Sequence, residues 1–142
     1  MIFKTEKESI DFICNYFEKK GYTATPTQED NKYCHYDIEL ARDGKKIWLE
    51  LKRRNFPSWQ YGDAVIGEEK YNYFIWSKDQ QLVDGVIIVS LFSDCFTLSN
   101  ALHPVEFFKK RAKHHTEFND KRIVIKKLVR YTQDIKIPYE YI

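Results

Sequence analysis

Asp37, Glu50 and Lys52 are the residues whose types and spacing can do chemistry. They lie in the stretch from Tyr36 to Lys52, where apolar and polar residues alternate on both sides of Asp43-Gly44. Such a pattern predicts a β-hairpin closed by a two-residue type I′ turn. Arg42 then faces Lys45, and Leu40, Ile38 and Tyr36 face Ile47, Leu49 and Leu51, which makes one face apolar. A one-residue slip would mix the faces. In this register Asp37 stands directly opposite Glu50, and Lys52 lies one pleat further along the same side. Directly opposed residues have Cβ atoms roughly 4.5–5.5 Å apart, and like charges there are destabilising. Two carboxylates held so close share a proton or a cation. A hard divalent ion such as Mg²⁺ is commonly held by one or two carboxylates plus phosphate oxygens. The ammonium of Lys52 would orient an attacking water or meet developing charge. The chemistry expected here is metal-assisted hydrolysis of a phosphodiester.

Asp37, a spacer of twelve residues, then Glu50-Leu51-Lys52 resembles the D-x(n)-E-x-K core of the PD-(D/E)xK, or restriction-endonuclease-like, nuclease superfamily, in its small resolvase-like or phage-type members. The resemblance implies that Asp37 and Glu50 bind Mg²⁺ or Mn²⁺, that the Leu51 carbonyl joins them, and that Lys52 assists the nucleophilic water. The Pro that usually precedes the Asp is Tyr36 here. The alternative is a solvated charged face on an ordinary sheet. A second E-x-K, Glu68-Glu69-Lys70, reads as a decoy, because residues two apart on a helix point about 200° away from each other.

The elements that must position these groups follow from the rest of the chain. Thr5 to Lys20 reads as an amphipathic helix ended by Gly21, with Thr5 and Glu8 as a capping box and Ile10, Ile13, Cys14 and Phe17 as its buried stripe. Glu6 lies one turn before Ile10 on that stripe. Nucleases of the resembled superfamily often supply a further Glu from this helix, and Glu6 takes that place; otherwise it is a solvated helix end. Tyr22 to Thr27 is an expected short strand, and Gln28 to Asn31 a polar turn. Arg53 and Arg54 follow Lys52, then a loop from Asn55 to Gly62 with Trp59 and Tyr61. Cations beside exposed rings suit a nucleic acid, with phosphates on the cations and bases stacked on the rings. The equal alternative is a loop pinned to the core by Trp59 and Tyr61.

Glu68 to Ser77 is an expected second helix with Tyr71, Phe74 and Ile75 inward, and Val86 to Leu91 a central strand buried on both faces. Cys95 to Leu98 continues as a strand. Pro104 is expected to open a third helix running through Ala112, with Lys109, Lys110, Arg111, Lys113, His114 and His115 outward. Lys121, Arg122, Lys126 and Lys127 follow in a strand-like segment, and the last dozen residues read as a terminal strand or docking tail. Two basic runs in one third of the chain point to a phosphate-facing patch, with Lys109, Lys110 and Arg111 as candidate contacts.

Composition sets the frame. The 142 residues, 43% hydrophobic and 31% charged, suit one globular domain with a core of its own. A net charge of only +2 means that a nucleic-acid surface must come from local clustering. Cys14, Cys34 and Cys95 are odd in number and widely spaced, which favours a reducing compartment over a disulfide framework. No signal peptide or membrane span is read, so a cytoplasmic protein is the default.

The expected fold is α/β: the αβββαβ core that the resemblance implies over roughly the first 92 residues, with a mixed central sheet flanked by helices. The expected function is Mg²⁺-dependent DNA endonuclease, with DNA as the partner, a homodimer as the assembly to consider, no organic cofactor and no membrane partner. Two alternatives stand beside it: a module that keeps the nuclease fold only to bind DNA or a protein, and an RNA-cleaving enzyme of the same fold, since sugar discrimination rests on 2′-hydroxyl contacts.

Overall fold

A computed structural model of the protein describes residues 2–27, 35–60, 63–113 and 123–139. Helix α1 (Glu6–Lys19) starts where Thr5 Oγ1 accepts the Glu8 N–H, while the Glu8 carboxylate reaches back to the Lys4 N–H. Its far end is a Schellman motif: Tyr22 N–H donates to Phe17 O and Gly21 N–H to Glu18 O, with Gly21 at φ +94°. The helix buries Ser9, Ile13, Cys14 and Phe17, while Ile10 is half-buried.

Strands β2 (Ile38–Arg42) and β3 (Lys45–Arg53) form the expected hairpin, with both turn residues at positive φ, Asp43 at 52° and Gly44 at 77°. The register runs from Arg42↔Lys45 to Ile38↔Leu49 as the alternation predicts. There it stops. Asp37 N–H donates to Leu49 O at 2.8 Å, out of step with the ladder, so the expected pairs Asp37–Glu50 and Tyr36–Leu51 are not made. With the pleat broken, Tyr36 leaves the apolar face and stacks on Trp48 on the opposite face, 4.2 Å between centroids and 6° between planes.

These strands lie in a six-stranded mixed sheet ordered β1-β2-β3-β5-β6-β9, where β1 is Thr23–Pro26, β5 Gly85–Leu91, β6 Cys95–Asn100 and β9 Ile135–Pro138. β5 runs parallel to β3, with Glu50 beside Ile88 and Lys52 beside Ser90. Between β3 and β5 come β4 (Ala64–Gly67) and helix α2 (Glu68–Asp79). The sheet therefore carries two cores. On one face α1 packs against Ile38, Leu40, Leu49, Val89, Leu91 and Phe96. On the other, Phe74 of α2 joins Trp48, Val86, Ile88, Ala64, Ile66, Val129 and Tyr131. Val86 to Leu91 is thus buried on both faces, as its unbroken apolar run requires.

The expected third helix is instead a strand. β7 (Glu106–Lys113) pairs residue for residue with β8 (Ile123–Tyr131), which in turn pairs with β4 in a second sheet ordered β4-β8-β7. Phe107, Lys109 and Arg111 alternate with Phe108 and Lys110, a spacing that fits a strand as well as a helix. The β-branched partner strand Ile123-Val124-Ile125 decides between them, because strand preference is set by what lies alongside. In α2, Ser77 is buried with Phe74, while Ile75 is only half-buried. Among the described residues no helix is long and apolar enough to cross a membrane.

Candidate active site

Asp37 is held by its backbone on every side. Its N–H donates to Leu49 O, and its carbonyl accepts the Thr27 N–H at 2.9 Å and the Thr27 hydroxyl at 3.3 Å. The side chain then turns back to the hairpin, where Oδ2 accepts the Leu51 N–H at 2.7 Å. Leaving the ladder is what frees that N–H. A strand residue sends its N–H and C=O to the same neighbour, so the Leu51 carbonyl also faces the side where Asp37 sits.

Glu50 is 5% exposed. Its position on β3 places it on the α2 face with Trp48, where a lone carboxylate would be costly. Two ammonium groups answer it. Lys70 Nζ lies 2.8 Å from Glu50 Oε1, and Lys52 Nζ lies 3.6 Å from the same oxygen. Both lysines keep about a third or less of their side-chain surface in solvent. Burial first, and the negative charge of Glu50 second, push the Asp37 carboxyl up to about 6. Glu6 adds a smaller push in the same direction, and the Leu51 N–H and Lys70 oppose the rise.

Lys70 is the residue that sequence reasoning set aside. The E-x-K spacing of Glu68 and Lys70 remains without chemical meaning, but Lys70 does not act through that spacing. It lies four residues before Phe74 and seven before Ser77, both buried on α2, so it shares the stripe that faces the sheet. A cation at the start of a buried helical stripe, opposite a strand carrying a buried acid, was the available signal.

Glu6, exposed at the start of α1, lines one cleft with Ser9 and Leu51 to Asn55, so it meets Lys52, Arg53 and Arg54 there. Arg53 is exposed and Arg54 half-buried, its N–H bonded to Leu91 O. Trp59 is 81% exposed and does not pin its loop. Buried Ser58 does so, donating through N–H and hydroxyl to the two oxygens of Asp94 at 2.8 and 2.7 Å. Tyr61, His114, His115, Lys121, Arg122, Cys34 and the Gln28–Asn31 turn lie outside the described residues. Lys109, Lys110 and Arg111 stand on β7 in the second sheet, away from the cleft of Glu6 and Lys52, and are exposed.

Among the described residues no group of three or more His, Cys, Asp or Glu side chains is placed to hold a metal. The oxygen atoms at this site are those of the Asp37 and Glu50 carboxylates and the Leu51 backbone carbonyl. Among the same residues Asp37 Oδ1 and Glu50 Oε2 accept no hydrogen bond, since the Leu51 N–H and the lysines engage the other oxygen of each.

No protein-family model matches the sequence, and a search of curated proteins finds no match. Among solved structures, the chain is similar to Hjc of Archaeoglobus fulgidus, a Holliday junction resolvase from an archaeal hyperthermophile. The superposition has a TM-score of 0.57, covers 92% of this chain and 88% of that one, and pairs residues that are 9% identical. At that identity the likeness speaks for the architecture, and the mixed sheet between α1 and α2 gives this chain the Hjc-like, restriction-endonuclease-like nuclease fold.

Proposed function

We propose that the protein is a metal-dependent endonuclease that hydrolyses DNA phosphodiester bonds, its 142 residues acting as one nuclease domain. One observation carries this reading. A half-buried Asp37 and a buried Glu50 meet two ammonium groups where β2 has ended, in a nuclease fold. Two acids and two cations, with Lys52 also lining a cleft beside Arg53 and Arg54, suit a phosphate and the ion that accompanies it. The similar structure is a Holliday junction resolvase, which makes branched DNA the first substrate to try.

The residues present fit Mg²⁺ or Mn²⁺. Both ions prefer oxygen donors and keep several positions for water and phosphate. Asp37, Glu50 and the Leu51 carbonyl would hold the ion, which when bound polarises the phosphoryl group and lowers the pKa of its water. The chain's own groups do the rest. Lys52 orients the attacking water and stabilises charge developing on phosphate oxygens. Lys70 offsets the charge of the buried Glu50. Glu6 adds negative charge at the mouth of the cleft and positions water there. Arg53 and Arg54 hold the flanking phosphates, and Trp59 offers a ring to an unpaired base.

The test is a cleavage panel of four-way junction, linear duplex, single-stranded DNA and RNA with Mg²⁺ or Mn²⁺. Wild type should cut at least one DNA substrate, and Glu50→Gln should lose about a thousandfold or more while its circular dichroism stays native. Equal cleavage by Glu50→Gln would overturn the reading, and cleavage confined to RNA would reassign the substrate.

A further inference from the structure

We infer that the β7–β8 ribbon enters the major groove of duplex DNA and meets the phosphates of both groove walls, an inference that rests on the DNA-cleaving reading above. The two strands pair without interruption from Glu106↔Arg130 to Lys113↔Ile123, but β4 accompanies β8 only as far as Gly67↔Leu128. From Lys109↔Lys127 outward the second sheet is therefore a two-stranded arm about 15 Å long.

The charge on this arm is arranged against its own stability. Lys109 stands directly across from Lys127, and Lys110 directly across from Lys126. Like charges so opposed are destabilising. Adjacent residues of a strand point to opposite faces, so one lysine pair lies on each face of the ribbon. All four are exposed, as is Arg111 on the Lys109 face. No carboxylate of a described residue lies within ion-pair distance of any of the five, although Glu68 and Glu69 line a cleft with Ile125 to Leu128 at the arm's root.

A polyanion relieves this repulsion, and the two-faced arrangement says how it is placed. A ribbon lying flat on a phosphate backbone would use cations on one face only. A groove presents phosphates on both sides. The major groove is about 12 Å wide and admits a two-stranded ribbon, and packed sheets stand about 10 Å apart, so the ribbon's thickness matches. The arm's root also borders the first turn of α2, from which Lys70 reaches Glu50.

Binding of a 30-base-pair duplex, read by fluorescence anisotropy without divalent metal across a salt series, tests this. The variants are Lys109→Thr with Lys127→Thr, and Lys110→Thr with Lys126→Thr. Each pair should flatten the slope of log K against log salt by about 1.8, at roughly 0.9 per phosphate contact. The corresponding Lys→Arg pairs should keep the wild-type slope. Both Thr pairs should melt no lower than wild type, since opposed like charges are gone. Dimethyl sulfate should find guanine N7, a major-groove atom, protected by wild type and exposed again with either Thr pair. A loss confined to one face, no loss on either, or protection only at minor-groove adenine N3 would overturn the inference. In those cases the nuclease reading stands if Glu50→Gln still abolishes cleavage. Failure of wild type to bind duplex DNA at all would overturn the groove inference directly, while cleavage of the other substrates would still decide the nuclease reading.

Discussion

Lys70 Nζ sits 2.8 Å from Glu50 Oε1, closer than the 3.6 Å of Lys52, which shares the strand with Glu50. The nearest counter-charge to the buried acid thus comes from a helix twenty residues further on. This ammonium occupies ground next to the oxygen that a divalent cation would also seek.

Removing Lys70 therefore has two consequences. Lys70→Met leaves a 5%-exposed carboxylate with only the longer contact to Lys52, and stability without metal should fall by about 1–3 kcal/mol. The stabilisation gained from Mg²⁺ should grow, because a competing cation is gone. Thermal melts with and without Mg²⁺ measure both, and a variant with wild-type melting and a wild-type Mg²⁺ shift would show that this ion pair has no energetic role.

Asp37 sets the pH response. Its folded value of about 6 lies above the usual carboxylate value near 3.9. Between the two the native state holds more proton than the unfolded chain, so metal-free stability should fall as pH rises from about 4 through 6. The loss should be on the order of 3 kcal/mol, then level off. Asp37→Asn should lack that decline and be the more stable protein above pH 6, as chemical denaturation across pH would report. An Asn variant clearly weaker than wild type at pH 7 would mark Asp37 as a structural acid that serves only the Leu51 N–H.

Metal binding should run the other way with pH. On the proposed reading Asp37 holds the ion in its ionised form, so stabilisation by Mg²⁺ and the cleavage rate should both rise as pH passes about 6. At a metal concentration a hundred times Kd the gain is about 2.7 kcal/mol. It should vanish in Asp37→Asn and in Glu50→Gln. A Mg²⁺ shift that survives both substitutions would place the ion elsewhere.

Trp59 and the two arginines should separate binding modes. Trp59 is 81% exposed, so Trp59→Ala should change stability by no more than about 0.5 kcal/mol. Affinity for DNA with unpaired bases should drop by about 1–3 kcal/mol, while duplex affinity stays. Arg53→Gln with Arg54→Gln should weaken duplex and unpaired DNA alike and slow cleavage, because both line the Lys52 cleft. Anisotropy on matched duplex and gapped substrates distinguishes the two patterns.

Much of the scaffold follows from short-range chemistry. The Asp43-Gly44 turn with alternating flanks determines the β2–β3 register and places Glu50 and Lys52 on one side of β3, because turn type and pleat leave no second choice. Thr5, Glu8 and Gly21 bound α1 by local hydrogen bonds, and the Val86–Leu91 run announces a strand covered on both faces. Three features needed the tertiary structure. Asp37 leaves the ladder to accept the Leu51 N–H, which depends on Thr27, just past the end of β1, holding its carbonyl. Lys70 reaches Glu50 only because α2 packs Phe74 against the face that carries Trp48. Glu106–Lys113 becomes a strand because a partner lies beside it from a segment beginning ten residues later. In each case the deciding contact joins residues distant in the chain, where side-chain type and spacing carry no record of the neighbour.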